Sequence, residues 1–255
     1  MKHDKQKEKE PMVILRMMAV VLCVFFSFQT RAQDTSWYSD SETVFTLTTA
    51  DQMIGFRNLV RNGKTFKEKT IKLGNDIDVS SVNWLPIGGR YKPFCGTFDG
   101  CGYNITYSCE YVYNTTGTDD YHGLFAYISN ATIKNLRVSG ILSVRMYVNR
   151  LVCCGAIVGY ASNSIIYNCS NSVNISYNRP YYLSGKYPTD YKEYIGGICG
   201  SNYNSKISYC VNTGKIEDLT GYGLLYVGGI CGSVTNYGEV YGCESLGNKI
   251  GRAHV

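Results

Sequence analysis

The sequence predicts an all-β protein built from a repeated structural unit, and three observations support this prediction. Only 18% of the residues are charged and 27 are glycines, a composition typical of short strands joined by tight turns. A five-residue glycine-rich block occurs four times along the chain. Apolar residues follow each block at two fixed distances, which indicates that a whole structural unit is repeated.

The block has the sequence Gly-Gly-Ile-Cys-Gly in the third and fourth copies, and the first two copies match this sequence less closely. The four copies are the segments 122–126, 155–159, 196–200 and 228–232. Their last residues are 33, 41 and 32 positions apart, which is within the range of stacked supersecondary units. We therefore expect successive copies to lie side by side.

Two apolar positions follow each block, seven and ten residues after its last residue. The positions are occupied by Ile133 and Leu136, Ile166 and Cys169, Ile207 and Cys210, and, after one inserted residue, Val240 and Cys243. Residues three apart in a straight strand point to opposite faces of the sheet. We therefore predict a corner or bulge between the two positions, so that each copy winds into a coil.

Ten cysteines follow residue 32, and several stand where another copy has a larger apolar residue. Cys169 and Cys210 take the place of Leu136, and Cys199 takes the place of Val158. This alternation is typical of a small buried hydrophobic residue, so we predict buried free thiols. Disulfide bonding is the alternative, because equivalent residues about 4.8 Å apart on neighbouring strands are close enough for a bridge.

Residues 1–32 have the pattern of a secretory signal peptide. A charged segment precedes the apolar run 17–28, and Thr30 and Ala32 are small residues of the kind that a signal peptidase recognises. The run is shorter than the roughly 20 residues that span a bilayer, so we predict cleavage near Gln33 and no membrane span in the mature chain. A retained anchor is the alternative. Cleavage lowers the net charge from +5 to about +2, which gives no indication of nucleic-acid binding.

Residues 33–63 are predicted to form an N-terminal segment with a capping helix from Ala50 to Asn62. The helical pattern extends over residues 46–63, where Thr49 and Gln52 fit a capping box and apolar residues recur at three- and four-residue spacing. Residues 64–249 are predicted to form the repeat domain, which begins with short strands at Thr70–Leu73 and Ile77–Val79. A tight turn between two more short strands is expected within Gly96–Ile105.

The final segment, 250–255, resembles the translation of a sequencing adapter and interrupts the fourth copy. We expect the natural chain to continue past about Lys249. We also expect the sheet edges that are left open at this point to pair with other chains.

Several segments together resemble the GLUG-motif repeat proteins exported by Bacteroides-type gut bacteria. They are Asn75–Val79, Trp84–Gly88, Gly96–Gly100 and the repeated blocks. The resemblance extends from about Val44 to Gly247 and departs from the family pattern at Cys101 and Ala126. It implies a right-handed parallel β-helix, a secreted or outer-surface location and an adhesin-like role, and it supplies no catalytic residues.

Chemically active residue types are scarce in the predicted mature domain. His122 is the one histidine outside the signal segment and the suspect end, so we predict no catalytic, metal-binding or cofactor-binding residues. Asp119–His122 could perform acid–base chemistry, but Thr116–Asp120 has the pattern of a solvated polar loop that leads into the first repeat strand, and we favour this loop. Asn75, Asp76, Asp78 and Asp99 could supply oxygens to calcium, although Asx turns explain their spacing more simply.

Tyrosine is the strongest functional signal in the sequence. All 23 tyrosines follow residue 32, and six of them lie between residues 177 and 194, in the longest interval between blocks. A tyrosine ring offers a stacking face and a hydrogen bond, and insertions in repeat proteins form loops on one face. The candidate binding residues are Tyr177, Tyr181, Tyr182, Tyr187 and Tyr191. The alternative is that these rings pack against strands or loops without a ligand.

The sequence thus predicts a non-enzymatic, exported binding module, secreted or held at the outer cell surface. A glycan or a host surface protein is the predicted ligand, and the loops between repeats are the predicted binding surface. The alternative is a carbohydrate-active β-helix enzyme, a polysaccharide lyase or hydrolase, whose catalytic residues lie in a missing C-terminal part.

Overall fold

The structure is a computed structural model that describes residues 33–113, 120–146, 151–178, 192–219 and 224–250. The described residues belong to one compact unit. The predicted signal segment 1–32 and residues 251–255 lie outside them, as do four of the candidate binding residues, Tyr181, Tyr182, Tyr187 and Tyr191.

Before the first repeat copy, the chain forms five strands and one α-helix within the described ranges. These are β1 (Val44–Leu47), α1 (Ala50–Arg61), β2 (Thr70–Leu73), β3 (Ile77–Asn83), β4 (Thr97–Asp99) and β5 (Asn104–Tyr113). The predicted early strands and the turn between β4 and β5 are confirmed. The helix begins four residues later than its pattern suggests, because Thr46 and Leu47 pair with β2 as part of β1.

Each repeat copy then contributes strands in the same order. The first two copies form β6 (Asp120–His122), β7 (Phe125–Ser129), β8 (Thr132–Lys134) and β9 (Arg137–Met146), then β10 (Val152–Gly155), β11 (Val158–Ser162), β12 (Ile165–Tyr167) and β13 (Ser170–Asn178). The third copy forms β14 (Lys192–Gly196), β15 (Cys199–Tyr203), β16 (Lys206–Ser208), β17 (Val211–Asn212) and β18 (Ile216–Asp218). The fourth forms β19 (Leu224–Gly228), β20 (Cys231–Thr235), β21 (Glu239–Tyr241), β22 (Glu244–Ser245) and β23 (Lys249–Ile250).

Equivalent strands of successive copies pair side by side in four parallel sheets. The first strands form the sheet β19-β14-β10-β6 and the second strands form β20-β15-β11-β7. The third strands of the copies (β8, β12, β16 and β21) continue the sheet that starts with β1, β2 and β4. The fourth strands (β9, β13, β17 and β22) continue the sheet that starts with β3 and β5. Ile166, for example, lies between Ile133 and Ile207. The prediction that copies lie side by side is therefore confirmed.

The predicted corner between the two apolar positions is present in every copy. One residue there adopts a positive φ: Asn135 (52°), Asn168 (52°), Tyr209 (53°) and Gly242 (61°). Asparagine and glycine tolerate this left-handed conformation better than other residues. The Asn168 amide also donates to the Asn135 side chain over 2.8 Å, so the corner residues of neighbouring copies are connected to each other.

The block glycines are required by close backbone approach. A Cβ atom on Gly196 would overlap the carbonyl oxygen of Cys199, and the equivalent Gly155 and Gly228 face the equivalent oxygens in their own copies. A side chain at this position would push apart two consecutive strands of one copy. The recurrence of glycine in the block therefore has a steric cause.

The repeat cysteines occupy the core positions that the sequence predicts. Cys199 lies in register with Val158 and Cys231, and Cys169, Cys199 and Cys210 are buried. Their thiols lie within hydrogen-bonding distance of backbone carbonyl oxygens, as in Cys199 Sγ to Ser201 O at 3.2 Å. All ten described cysteines are free thiols.

The helix α1 covers the start of this core. The Thr49 hydroxyl accepts a hydrogen bond from the backbone N–H of Gln52 over 3.3 Å. The side-chain oxygen of Gln52 accepts one from the backbone N–H of Thr48 over 2.8 Å, and the two bonds together confirm a capping arrangement. The Phe56 ring contacts the rings of Phe94 and Phe98 with centroids 5.6 and 5.8 Å apart. In the described ranges, the structure contains no helix of the length and apolarity that a membrane crossing needs.

The fourth copy supplies the terminal strand of every sheet at one end of the stack. Its apolar residues are correspondingly more exposed than their equivalents: Val240 is 39% exposed, whereas Ile207 beside it is fully buried. Pairing of these edges with other chains stays a prediction.

We predict that Gly196→Ala lowers the unfolding free energy by about 2–3 kcal/mol, because the added methyl group overpacks the backbone of the block. Gly89→Ala is the matched control, since a Cβ at Gly89 meets no atom within 4 Å, and it should change stability by no more than about 0.5 kcal/mol. Urea denaturation followed by circular dichroism measures both. Equal effects of the two substitutions would contradict the steric explanation.

We also predict that stability declines above pH 9. Burial raises the pKa of Cys109 from 9.0 to about 12, so the folded state holds this proton at a pH where the unfolded chain has lost it. The contribution of the protonated Cys109 thiol to the unfolding free energy is complete below pH 9 and is lost as pH rises toward about 12. Cys109→Ser keeps a donor for the Trp84 carbonyl, which lies 3.1 Å from Sγ, and should make the decline shallower by about 1.4 kcal/mol per pH unit. An unchanged slope in denaturation experiments across this pH range would refute this assignment.

Candidate functional site

Asp120, Tyr121 and His122 form a buried strand, β6, that pairs with β10. Asp120 lies in register with Val152, and His122 with Cys154. Asp120 is only 7% exposed and His122 1% exposed. The expectation of a solvated loop is therefore wrong for Asp120, because pairing with the next copy draws this residue into the sheet. Asp119 lies outside the described residues.

The two faces of β6 have different surroundings. Val152 and Cys154, the partners of Asp120 and His122, pack in the main core. Tyr121 packs with Cys153 in a separate cluster, as expected for alternate residues of a strand. The His122 ring lies 4.6 Å from the ring of Tyr111, centroid to centroid. The acidic and imidazole groups thus belong to the core side of β6, and Tyr121 belongs to the other side.

Five tyrosines form a cluster around this other side, which we call the tyrosine face: Tyr121, Tyr127, Tyr160, Tyr194 and Tyr226. The rings of Tyr127 and Tyr160 stack at 4.9 Å with an interplanar angle of 16°. Tyr121 contacts both, at 5.3 and 5.4 Å. Tyr194 and Tyr226 are 5.4 Å apart. The face therefore extends across all four repeat copies.

The repeat itself positions these rings. Tyr121, Tyr194 and Tyr226 share one register position in the first sheet, where the second copy has Cys153. Tyr127 and Tyr160 share one in the second sheet. Tyr226 is 43% exposed, and Tyr127, Tyr160 and Tyr194 are partly exposed. Burial of part of its ring raises the pKa of Tyr160 to about 12, so its hydroxyl stays protonated and can donate a hydrogen bond at neutral pH.

The candidate binding residue Tyr177 lies elsewhere and has no exposed surface. It belongs to β13, in register with Val144 and Asp218, and it packs in the main core. The prediction of a ligand-binding role is therefore corrected for Tyr177, because a fully buried ring offers no surface to a ligand. The other four candidates lie outside the described residues.

Sequence reasoning missed the tyrosine face, although a signal for it was present. Tyr194 and Tyr226 both stand two residues before the Gly-Gly pair of a block, and Tyr127 and Tyr160 both follow a block directly. Comparison of tyrosines by repeat position, instead of by local density, would have identified them.

A cleft of about 460 Å³ lies beside β6, which is the terminal strand of its sheet. We call it the β6 cleft. The end of α1, the turn 88–92, Tyr111 and β6 contribute to its walls. Its charged lining residues within the described ranges are Arg61, Arg90, Lys92 and Asp120. Tyr121 belongs both to this cleft and to the tyrosine face. The two features are therefore continuous.

The positive side of the β6 cleft is held by local backbone contacts. Arg61 donates from Nη1 to the Pro86 carbonyl over 3.2 Å. Gly89 and Lys92 exchange two backbone hydrogen bonds of 3.1 Å, which fixes the tight turn that carries Arg90. One helical turn before Arg61, Arg57 lies over the Trp84 ring at 5.0 Å. Burial and then the charge of Arg61 lower the pKa of Arg57, as expected for adjacent cations.

Two of the acidic residues considered for calcium, Asp78 and Asp99, make hydrogen bonds typical of turns, whereas Asp76 accepts from the distant Asn104 backbone N–H over 2.8 Å. Asp78 accepts from the Ser80 amide over 2.8 Å, and Asp99 accepts from the Cys101 amide over 2.9 Å. Burial acts to raise the pKa of Asp99, but hydrogen bonds from Asn135 and Cys101 outweigh it and the pKa is lowered. Within the described ranges, no group of three or more His, Cys, Asp or Glu residues is arranged to hold a metal ion.

Comparison with known proteins identifies a motif within the third copy. The model of the family described as the GLUG motif matches residues 193–217. The segment runs from β14 to β18 and includes one complete glycine-rich block. The predicted resemblance is thus confirmed for this segment, while its wider extent and a Bacteroides-type origin stay predictions.

A solved structure also resembles this chain. It is described as a putative immunoglobulin A1 protease from Bacteroides ovatus, is 16% identical, and aligns over 83% of this chain and 68% of its own with a TM-score of 0.45. Similarity at this level transfers no activity to the present chain. A search of curated proteins gives no match.

We predict that Tyr177→Ala and Tyr226→Ala differ sharply in their effect on stability. Loss of the buried Tyr177 ring should lower the unfolding free energy by about 3–5 kcal/mol, as for buried aromatic residues in general. Loss of the more exposed Tyr226 ring should cost about 1 kcal/mol, the value of one aromatic contact. Urea denaturation of both variants measures the difference. Equal losses of unfolding free energy would contradict the placement of Tyr177 in the core and of Tyr226 at the surface.

Proposed function

We propose that this chain is an exported, right-handed parallel β-helix that acts as a non-enzymatic glycan-binding module. The in-register parallel sheets are compatible with a β-helix, and the GLUG motif in residues 193–217 agrees with the family resemblance. The signal-peptide pattern of residues 1–32 supports export. The ligand-binding surface in this proposal is the tyrosine face.

The extent and exposure of the tyrosine face carry the proposal. Contiguous exposed apolar surface marks interaction sites in soluble proteins. Tyrosine combines an apolar ring with a hydroxyl group, which suits the alternating C–H and O–H groups of a sugar ring. The first and second copies place one pair of rings 4.9 Å apart, and the third and fourth copies place another pair 5.4 Å apart. A row of rings perpendicular to the strands suits an extended chain of sugars.

The chemistry of the β6 cleft favours binding over hydrolysis. Glycoside hydrolysis by the usual mechanisms requires two carboxyl groups on opposite sides of the scissile bond. Asp120 is the one carboxylate among the described residues that line the cleft. It shares the lining with three cationic side chains, which suits recognition of a polar ligand.

The proposal predicts that loss of exposed tyrosines weakens glycan binding. The double substitution Tyr194→Ala/Tyr226→Ala removes one ring pair of the tyrosine face and should lower affinity at least tenfold, because truncation of a tyrosine at the centre of a binding surface costs about 2 kcal/mol or more. A glycan array of host and plant polysaccharides identifies the ligands, and titration calorimetry with the best of them measures the loss.

A matched control lies at a corner of the same repeats. Tyr209 and Tyr241 form a comparable pair with centroids 5.7 Å apart, outside the tyrosine face. Tyr209→Ala/Tyr241→Ala should leave affinity unchanged. Equal loss in both double variants, or no glycan bound by the unaltered protein, would refute the proposal. Release of reducing ends from the bound polysaccharides would instead identify an enzyme.

A further inference from the structure

The β6 cleft combines features of a binding site for one charged group. Its volume of about 460 Å³ lies within the usual range of small-ligand sites. Among the described residues, its lining holds Arg61, Arg90 and Lys92 and one carboxylate, that of Asp120. These described side chains together carry a net positive charge, which favours an anionic ligand.

Two of the cations are available to a ligand. Arg61 and Lys92 make no ion pair with any described residue. Arg61 already donates one hydrogen bond to the Pro86 carbonyl, which orients its guanidinium and leaves its other N–H groups as donors. An arginine held in this way can bind a carboxylate through two parallel hydrogen bonds.

The position of the cleft indicates what carries the anionic group. Tyr121 lines the cleft and also contacts Tyr127 and Tyr160 on the tyrosine face. A chain of sugars that stacks on the tyrosine face therefore reaches the cleft at its first-copy end. The group that enters the cleft belongs to a sugar residue of the same chain.

We propose that the β6 cleft binds the carboxylate of an acidic sugar residue, with Arg61 and Lys92 as its cationic partners. The inference rests on the proposed glycan-binding function and adds the class of ligand. Hexuronic acids and sialic acids share this chemistry, since each presents a carboxylate on a sugar ring. The rings of Tyr111 and Tyr121 lie beside it, and the Tyr111 hydroxyl donates to the Trp84 carbonyl over 3.0 Å.

The test compares acidic and neutral forms of the same sugars. Galacturonic acid hexamer is compared with its methyl ester, and sialyllactose with lactose, by titration calorimetry at low ionic strength. We expect at least one acidic probe to bind tenfold or more tightly than its neutral partner, and the pair that does so distinguishes the two sources. Added salt should reduce the preference, because exposed charges are screened.

Charge-neutral and charge-conserving variants locate the preference. Arg61→Gln/Lys92→Gln should reduce it to threefold or less, whereas Arg61→Lys/Lys92→Arg should retain most of it. Lys67→Gln/Lys72→Gln removes the same charge from exposed residues outside the cleft and should leave the preference unchanged. Thermal unfolding followed by circular dichroism checks that each variant is folded.

The outcomes separate this inference from the proposed function. Equal affinity for acidic and neutral probes, or a preference that survives Arg61→Gln/Lys92→Gln, would overturn the acidic-sugar site while neutral glycans still bind the tyrosine face. Loss of affinity for both probe types in Tyr194→Ala/Tyr226→Ala supports the tyrosine face by itself. Absence of binding to all four probes would overturn the acidic-sugar site, and the glycan array then decides the proposed function.

Discussion

Parallel pairing of each copy with the next is the interaction on which the rest of this structure depends. A parallel strand pair satisfies backbone groups only where both partners keep their register, so one copy constrains the length and the corners of its neighbour. The inserted residue of the fourth copy illustrates this constraint. It is accommodated in the turn at Asn236 and Tyr237, both of which adopt a positive φ, and Val240 still pairs with Ile207.

The same constraint explains which residue types recur. Corners require residues that tolerate a positive φ, which accounts for asparagine at the equivalent positions 130, 163 and 204. Interior positions require side chains that fit between copies, which accounts for the exchange of leucine and cysteine. Asn171 and Asn212 are buried polar exceptions, and the 2.8 Å bond between their amides satisfies part of their hydrogen-bonding capacity across the two copies.

The candidate site depends on this stacking as well. Tyr160 follows Tyr127 by 33 positions and Tyr226 follows Tyr194 by 32, and pairing between copies places the rings of each pair beside one another. The β6 cleft has a different origin, since it forms where the repeated stack meets the preceding residues. Ile87 bridges to Phe125, which continues the stack beside β7, while the end of α1 and the turn 88–92 leave space beside β6. A regular face and an irregular cleft thus adjoin at Tyr121.

The sequence by itself determined the repeat, the corner between the two apolar positions, the burial of the repeat cysteines and the capping helix. Each of these follows from local geometry or from comparison of equivalent positions. It did not determine which tyrosines are exposed, because a local cluster of tyrosines does not reveal the face of the sheet on which each ring lies. Tyr177 is in the core and Tyr226 at the surface.

The tertiary structure alone decided that Asp120 and His122 are buried and that Arg61 faces β6. The burial of β6 comes from its pairing with residues some 30 positions later, and the cleft comes from contact between segments about 60 positions apart. The cleft leaves no periodic pattern in the sequence, because it arises once, at the boundary of the repeats. Repetition made the fold predictable, and the meeting of the repeated stack with the preceding residues placed the cleft beside the tyrosine face at Tyr121.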